Sequence, residues 1–137
     1  MKFTMYKATL LFLFLCSSLP AAGAPDTLWT KMYGGDRDDY AHDGQQTSDG
    51  GYIACGATLS YSWGYCDIWL LKTDSLGDTL WARTYGGKDI DAGYAVEQTS
   101  DNGFIVGALT SSFDHGRDIW LLKIDTHGDW AGMMCGY

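Results

Sequence analysis

Asp67-Ile68-Trp69-Leu70-Leu71-Lys72 recurs as Asp118-Ile119-Trp120-Leu121-Leu122-Lys123. Side chains alternate across a strand with a period of two, so this run puts apolar groups on both of its faces. A strand of a two-layer sandwich keeps one face wet, whereas this one needs cover on both. The flanks repeat as well. Trp29-Thr30-Lys31-Met32-Tyr33-Gly34-Gly35 returns as Trp81-Ala82-Arg83-Thr84-Tyr85-Gly86-Gly87, and Gln46-Thr47-Ser48-Asp49-Gly50-Gly51 returns as Gln98-Thr99-Ser100-Asp101-Asn102-Gly103. The copies match at an offset of 52 from Asp26 to Ala54 and of 51 by Asp67, with the lost residue expected near Cys55. A fixed period with shared landmarks marks a modular array.

Within one period the pattern reads as four short strands, at 39–47, 51–58, 67–72 and 79–85. The second copy repeats the first three at 91–99, 103–110 and 118–123. The Asp-Gly-Gly and Asp-Asn-Gly turns tolerate the positive φ that a tight hairpin requires. No stretch sustains a helical period. Repeated four-stranded sheets with apolar groups on both faces are what the blades of a β-propeller supply, each packed between two neighbours. Known propeller repeats bracket this period, at roughly 40–45 residues for WD40 and about 50 for kelch. A parallel β-helix has shorter rungs and lacks these hairpin turns. The expected fold is therefore all-β, with two four-stranded antiparallel propeller-type blades making an incomplete propeller.

The remainder of the chain is divided accordingly. Residues 1–24 have the form of a secretory signal, with Lys2 and Lys7 before an apolar run at 8–16 and small residues up to Ala24. The run is too short to span a bilayer, and no later segment approaches that length. Cys16 invites a lipoprotein reading, but Leu15 before it is not small. Residues 25–38 hold the outer strand of an otherwise absent blade, and 39–90 the first blade. Residues 91–129 form a second blade lacking its outer strand, and 130–137 the degenerate start of a third repeat. Copy two, being one residue short near Val106, is expected to pair less regularly in its second strand.

Seventeen acidic residues oppose nine basic ones, a net charge of −8, and two of the basic residues lie in the leader. Such a surface repels phosphate backbones and anionic membranes, so neither nucleic acid nor a membrane is an expected partner. The acidic group Asp36, Asp38, Asp39 and Asp43 lacks the spacing of an EF-hand and reads as a solvated loop. His42, His115 and His127 stand apart, without zinc-ligand spacing. No nucleophile elbow, P-loop or metalloprotease motif is present. No catalytic, metal or cofactor residue is assigned.

Trp-x-x-x-Tyr-Gly-Gly, Gln-Thr-x-Asp-x-Gly-aromatic-Ile and Asp-x-Trp-Leu-x-Lys-x-Asp-x-x-Gly-Asp together resemble the repeat of secreted bacterial and archaeal β-propeller proteins. The resemblance covers residues 26–129 and departs at Gly44, where an apolar residue is usual; Val96 supplies one in copy two. It implies a secreted or surface-attached chain, usually part of a longer array, and says little about activity, since propellers host many functions.

Turns 48–51 and 74–78 agree between copies and belong at one end of a blade. The 33–40 connection and the 59–66 loop differ from their counterparts and belong at the other. Loops that vary on a fixed scaffold carry specificity. The candidate ligand-facing residues are Tyr61, Trp63 and Tyr65 in copy one, with Asp114, His115 and Arg117 in copy two. The aromatics suit stacking on sugar rings or a protein surface. Cys55 and Cys66 flank the first loop and are a candidate disulfide, worth about 2–3 kcal/mol through loop-closure entropy; Cys135 is left for a bond between chains.

The reading that follows is a non-enzymatic extracellular interaction module, a fragment of a longer array. A second reading is a small lectin that oligomerises into a closed propeller, and a third is a glycan-active hydrolase or lyase on the same scaffold. Its partners are further propeller repeats, in one chain or in an oligomer, with a glycan or a protein as ligand.

Overall fold

A computed structural model describes residues 28–113 and 116–130. The leader, Asp114, His115 and residues 131–137 with Cys135 lie outside the described residues. The described chain is all-β, without a helix, in two antiparallel sheets. The first contains β1 (Asp39–Gln46), β2 (Tyr52–Thr58), β3 (Asp67–Thr73) and β4 (Thr79–Tyr85), in chain order. The second contains β5 (Asp91–Gln98), β6 (Phe104–Thr110) and β7 (Asp118–Ile124). Among the described residues no helix is long and apolar enough to cross a membrane.

The hairpins form where the sequence places Asp-Gly-Gly and Asp-Asn-Gly. Gly50 takes φ 83° and Asn102 φ 64°, the left-handed region that these residues tolerate. Asp49 Oδ1 receives the Thr47 hydroxyl at 2.5 Å and the Gly51 N–H at 3.0 Å; Asp101 does the same for Thr99 and Gly103. Lys72 from β3 then lays its ammonium on Asp49 at 2.9 Å, and Lys123 from β7 reaches Asp101 at 2.8 Å. These bonds hold the Asp49 carboxyl down at about 2, with the Thr47 hydroxyl the largest cause and Lys72 the next.

The sheets pack face to face, and the two-sided strand explains how. Ile53, Cys55, Ile68 and Leu70 turn from the first sheet toward the second and are at most 1% exposed. They meet Val96, Phe104, Val106, Ala108, Leu122 and Ile124. Trp69 and Leu71 point the other way. The contact is thus head to tail: the first sheet contributes its odd-numbered β2 face, while the second contributes the face bearing Phe104, Val106 and Ala108.

Two expectations change. The register of β6 is as regular as that of β2: Val96 faces Val106 as Gly44 faces Ala54, and Asp91 faces Thr110 as Asp39 faces Thr58. The offset is therefore still 52 at Thr110, and the missing residue falls in the loop after it. A deletion inside a strand would turn every following side chain to the wrong face, and a loop absorbs it without that cost. Residues 28–35 belong to neither sheet, as expected of the outer strand of an absent blade, and no neighbouring strand among the described residues gives them a ladder. Finally, Cys55 and Cys66 are both free and buried. Cys55 sits in mid-strand opposite Leu70, four residues beyond Cys66, or roughly 13 Å along β3 at strand rise. That exceeds the reach of a disulfide.

Candidate functional site

Both varying loops lie at one end of the sheets, and a carboxylate ties each of them down. Asp39 opens β1 and accepts from the Thr58 hydroxyl at 2.5 Å, the Ser60 hydroxyl at 2.7 Å and the Gly35 N–H at 2.9 Å. Asp91 opens β5 and repeats the set, accepting from the Thr110 hydroxyl, from Ser112 at 2.6 Å and from the Gly87 N–H at 2.8 Å. Each serine in turn accepts a main-chain N–H from the preceding connection, of Arg37 at 3.0 Å and of Asp89 at 3.2 Å. One carboxylate therefore fixes the Gly-Gly corner, the strand start and the loop exit together. Burial alone would raise the Asp39 pKa; the bonds from Thr58, Ser60 and Gly35 outweigh it and hold the group below its usual value.

The sequence signal for this device was present but went unread. Asp39, Thr58 and Ser60 recur at a common spacing as Asp91, Thr110 and Ser112. A second feature also escaped notice. One residue bulges from each first strand, His42 of β1 between Ala41 and Asp43 and Tyr94 of β5 between Gly93 and Ala95. The two rings stack at 4.8 Å with 6° between their planes, and His42 Nδ1 donates to the Gly93 carbonyl at 2.7 Å.

The candidate loop residues separate into two groups. Tyr61 packs on Trp69 at 5.8 Å, just as Phe113 packs on Trp120 at 4.9 Å, so its ring is partly spent on the scaffold. Trp63 is 92% exposed and Tyr65 67% exposed. Arg117 is exposed at the matching loop. Asp114 and His115 lie outside the described residues. The loop beneath Trp63 is nonetheless fixed, because its N–H donates to Asp67 Oδ2 at 2.8 Å and Cys66 bridges to Ile90.

Asp67 is the one buried side chain among the described residues with an unpartnered polar atom, Oδ1. It lies beside Asp91: a Cβ on Gly86 would sit 2.5 Å from Asp67 Oδ1 and 2.7 Å from Asp91 Oδ2. Burial raises the Asp67 pKa, opposed by the Trp63 N–H and aided by the Asp91 charge. Two converging carboxylates invite an acid–base reading, but Asp67 is 1% exposed and Asp91 0%, so the pair opens onto no cleft. The acidic group at 36–43 is divided. Asp39 serves its loop network, while Asp43 accepts from the N–H groups of Gly44 and Val96. Among the described residues no cluster of three or more His, Cys, Asp or Glu is arranged to hold a metal.

A hollow of about 530 Å³ runs across the outer face of the first sheet. Met32, Tyr33, Tyr61, Trp69, Leu71 and Arg83 contribute to its lining. A smaller one of about 180 Å³ lies over Ala54, Gly56, Trp69 and Leu71. No family model, no curated protein and no solved structure matches this chain.

Proposed function

We propose that this chain is a secreted, non-catalytic binding module whose two sheets are propeller-type blades, the second without its outer strand. The observation carrying this reading is the contrast between the two ends of the sheets. At one end the copies share their turns down to the Lys–Asp pair; at the other, rigidly tied loops carry different side chains, with Trp63 almost wholly exposed. An aromatic held clear of its own fold on a fixed loop presents a large apolar area at little entropic cost on binding. The leader-like residues 1–24 support export, and a chain of net charge −8 suits neutral or basic ligands rather than nucleic acid. The sealed Asp67–Asp91 pair weighs against the hydrolase reading.

A carbohydrate ligand is the second reading, favoured by the exposure of Trp63 and Tyr65 on one short loop. A glycan array probed with the purified chain, followed by titration of any hit against Trp63→Ala and Tyr65→Ala, tests both readings. Loss of a stacking aromatic at the centre of a site is expected to weaken binding at least tenfold. A bound ligand indifferent to both substitutions would move the site away from this loop. An empty array with binding to a protein surface would retain the module and reject the lectin.

A further inference from the structure

The open face of the first sheet already holds one strand of a missing neighbour. Trp29, Lys31 and Tyr33 are the counterparts of Trp81, Arg83 and Tyr85 in β4, and they make the same contacts one repeat earlier. Tyr85 donates its hydroxyl to the Gly128 carbonyl at 2.5 Å, and Tyr33 donates to that of Gly77 at 2.6 Å. Trp81 meets Phe104 edge-on at 6.0 Å, and Trp29 meets Tyr52 at 5.6 Å. Arg83 pairs with Asp129 at 3.8 Å, and Lys31 with Asp78 at 2.5 Å. Residues 28–35 therefore lie where the fourth strand of a preceding sheet would lie, with hollows beside them where its other three strands would pack.

A three-stranded sheet with the matching face is present at the other side of the molecule. Ile105, Gly107, Ile119 and Leu121 are the counterparts of Ile53, Cys55, Ile68 and Leu70, which are buried between the two sheets. Ile119 is instead 81% exposed and Leu121 67% exposed. The outer edge of β7 is met, among the described residues, only by the single bridge between Ile124 and Trp130. We infer that a second copy of this chain docks head to tail, its β5–β7 face filling the hollows over Ala54, Trp69 and Leu71 and its β7 edge pairing with residues 28–35. The contact inside each molecule is the template for the contact between molecules. One element differs: Asp43 receives the Val96 N–H within the molecule, and its counterpart Ala95 cannot do so for Gly44. The contact between copies is accordingly weaker than the internal one. This inference stands on the sheet faces and not on the loop ligand, so either can fail alone.

A head-to-tail contact uses two different surfaces, which gives it a distinctive test. Sedimentation velocity of the full chain is expected to show a sedimentation coefficient that rises with concentration. Ile119→Lys combined with Leu121→Lys, at exposed positions, disables the donor face. Ala54→Glu disables the receiving face, with Ala82→Glu, at an exposed position lining the larger hollow, as the alternative should the first unfold by circular dichroism. Each variant alone is expected to sediment as a monomer. Their equimolar mixture is expected to form a dimer and nothing larger, because one intact face of each kind remains. A folded wild-type monomer at all concentrations would overturn the proposal. Self-association of the receiving-face variant on its own would replace it with a symmetric contact, and failure of the mixture to pair would also refute it.

Discussion

Asp39 and Asp91 offer one network at two depths of burial, and removing each in turn should separate the effect of depth from that of chemistry. Asp91 is fully buried, and Asp91→Ala strands the Gly87 N–H and the Thr110 and Ser112 hydroxyls. A buried donor left without a partner costs about 1–3 kcal/mol. Ser112 can redirect its hydroxyl, and loss of the Asp91 charge relieves Asp67, so the expected net cost is about 3–4 kcal/mol. Asp39 has the same three donors and a longer bond from the Ser60 N–H at 3.4 Å but is half-buried, so water replaces part of what is lost and Asp39→Ala should cost about 1–2 kcal/mol. Urea unfolding followed by tryptophan fluorescence measures both, and the midpoint shift converts directly if the slope is unchanged. Thr110→Val and Thr58→Val should reproduce the order at smaller amplitude, because each deletes one hydroxyl donor to its carboxylate. Equal costs at the two sites, or a larger cost at Asp39, would show that burial does not set the value of this network.

Four further outcomes follow from the same geometry. Gly93→Ala drives a Cβ into the Cys55 sulfur and to within 3.0 Å of Ile68 Cγ2, so it should destabilise by about 1–3 kcal/mol, and Cys55→Ala in the same chain should recover part of that loss in a double-mutant cycle. Asp67→Asn keeps an acceptor for the Trp63 N–H and gives the orphaned position a donor, so it should stabilise by about 1 kcal/mol near neutral pH. Its sign with pH is fixed: a carboxyl raised on folding destabilises once ionised, so the gain is absent below the ordinary value of 3.8 and grows as pH rises through the folded pKa. Asp49 behaves oppositely, stabilising above 3.8 and losing that contribution as pH falls toward about 2; urea midpoints at several pH values check both. Burial pushes the Cys55 thiol up to about 12, so a thiol reagent at neutral pH should label it only after unfolding, while mass mapping without reductant finds no Cys55–Cys66 bridge.

Much of the fold was legible because it depends on a local period. Apolar groups on both sides of Ile68-Trp69-Leu70-Leu71, together with turn chemistry at Asp49-Gly50-Gly51 and Asp101-Asn102-Gly103, fixed the strands to within a residue or two. The length difference between the copies was misplaced for a reason that is also physical. Alignment of letters alone cannot distinguish a gap at Cys55 from one seven or more residues later, since Gly and Ala occur on both sides. Cross-strand pairing distinguishes them at once, because Asp91 faces Thr110 as Asp39 faces Thr58, which only the later gap allows. The disulfide expectation failed on the same point. Flanking a loop in sequence is not the same as facing each other across a ladder, and register decides the second.

The loop end shows where sequence reasoning stops. Exposure separates Trp63 from Tyr61, yet both are aromatics on one loop, and nothing in their spacing says which ring the Trp69 face will capture. The carboxylate networks leave a repeated spacing in the sequence, but only strand pairing turns it into contact. Asp39 and Thr58 are adjacent only because β1 and β2 pair in that register, and Ser60 joins them only because the chain leaves β2 at that corner. These links make the loops rigid independently of any ligand. A rigid loop can still exchange its outward side chains between copies, and Tyr-Ser-Trp in one copy against Phe in the other is that exchange. The sheet faces change less: Ile53, Ile68, Trp69, Leu70 and Leu71 return as Ile105, Ile119, Trp120, Leu121 and Leu122. Variation at the loop end and constancy of Ile53/Ile105, Ile68/Ile119 and Leu70/Leu121 are thus two sides of one repeat: strands keep the apolar groups of a packed face, and tied loops can change their outward side chains without disturbing it.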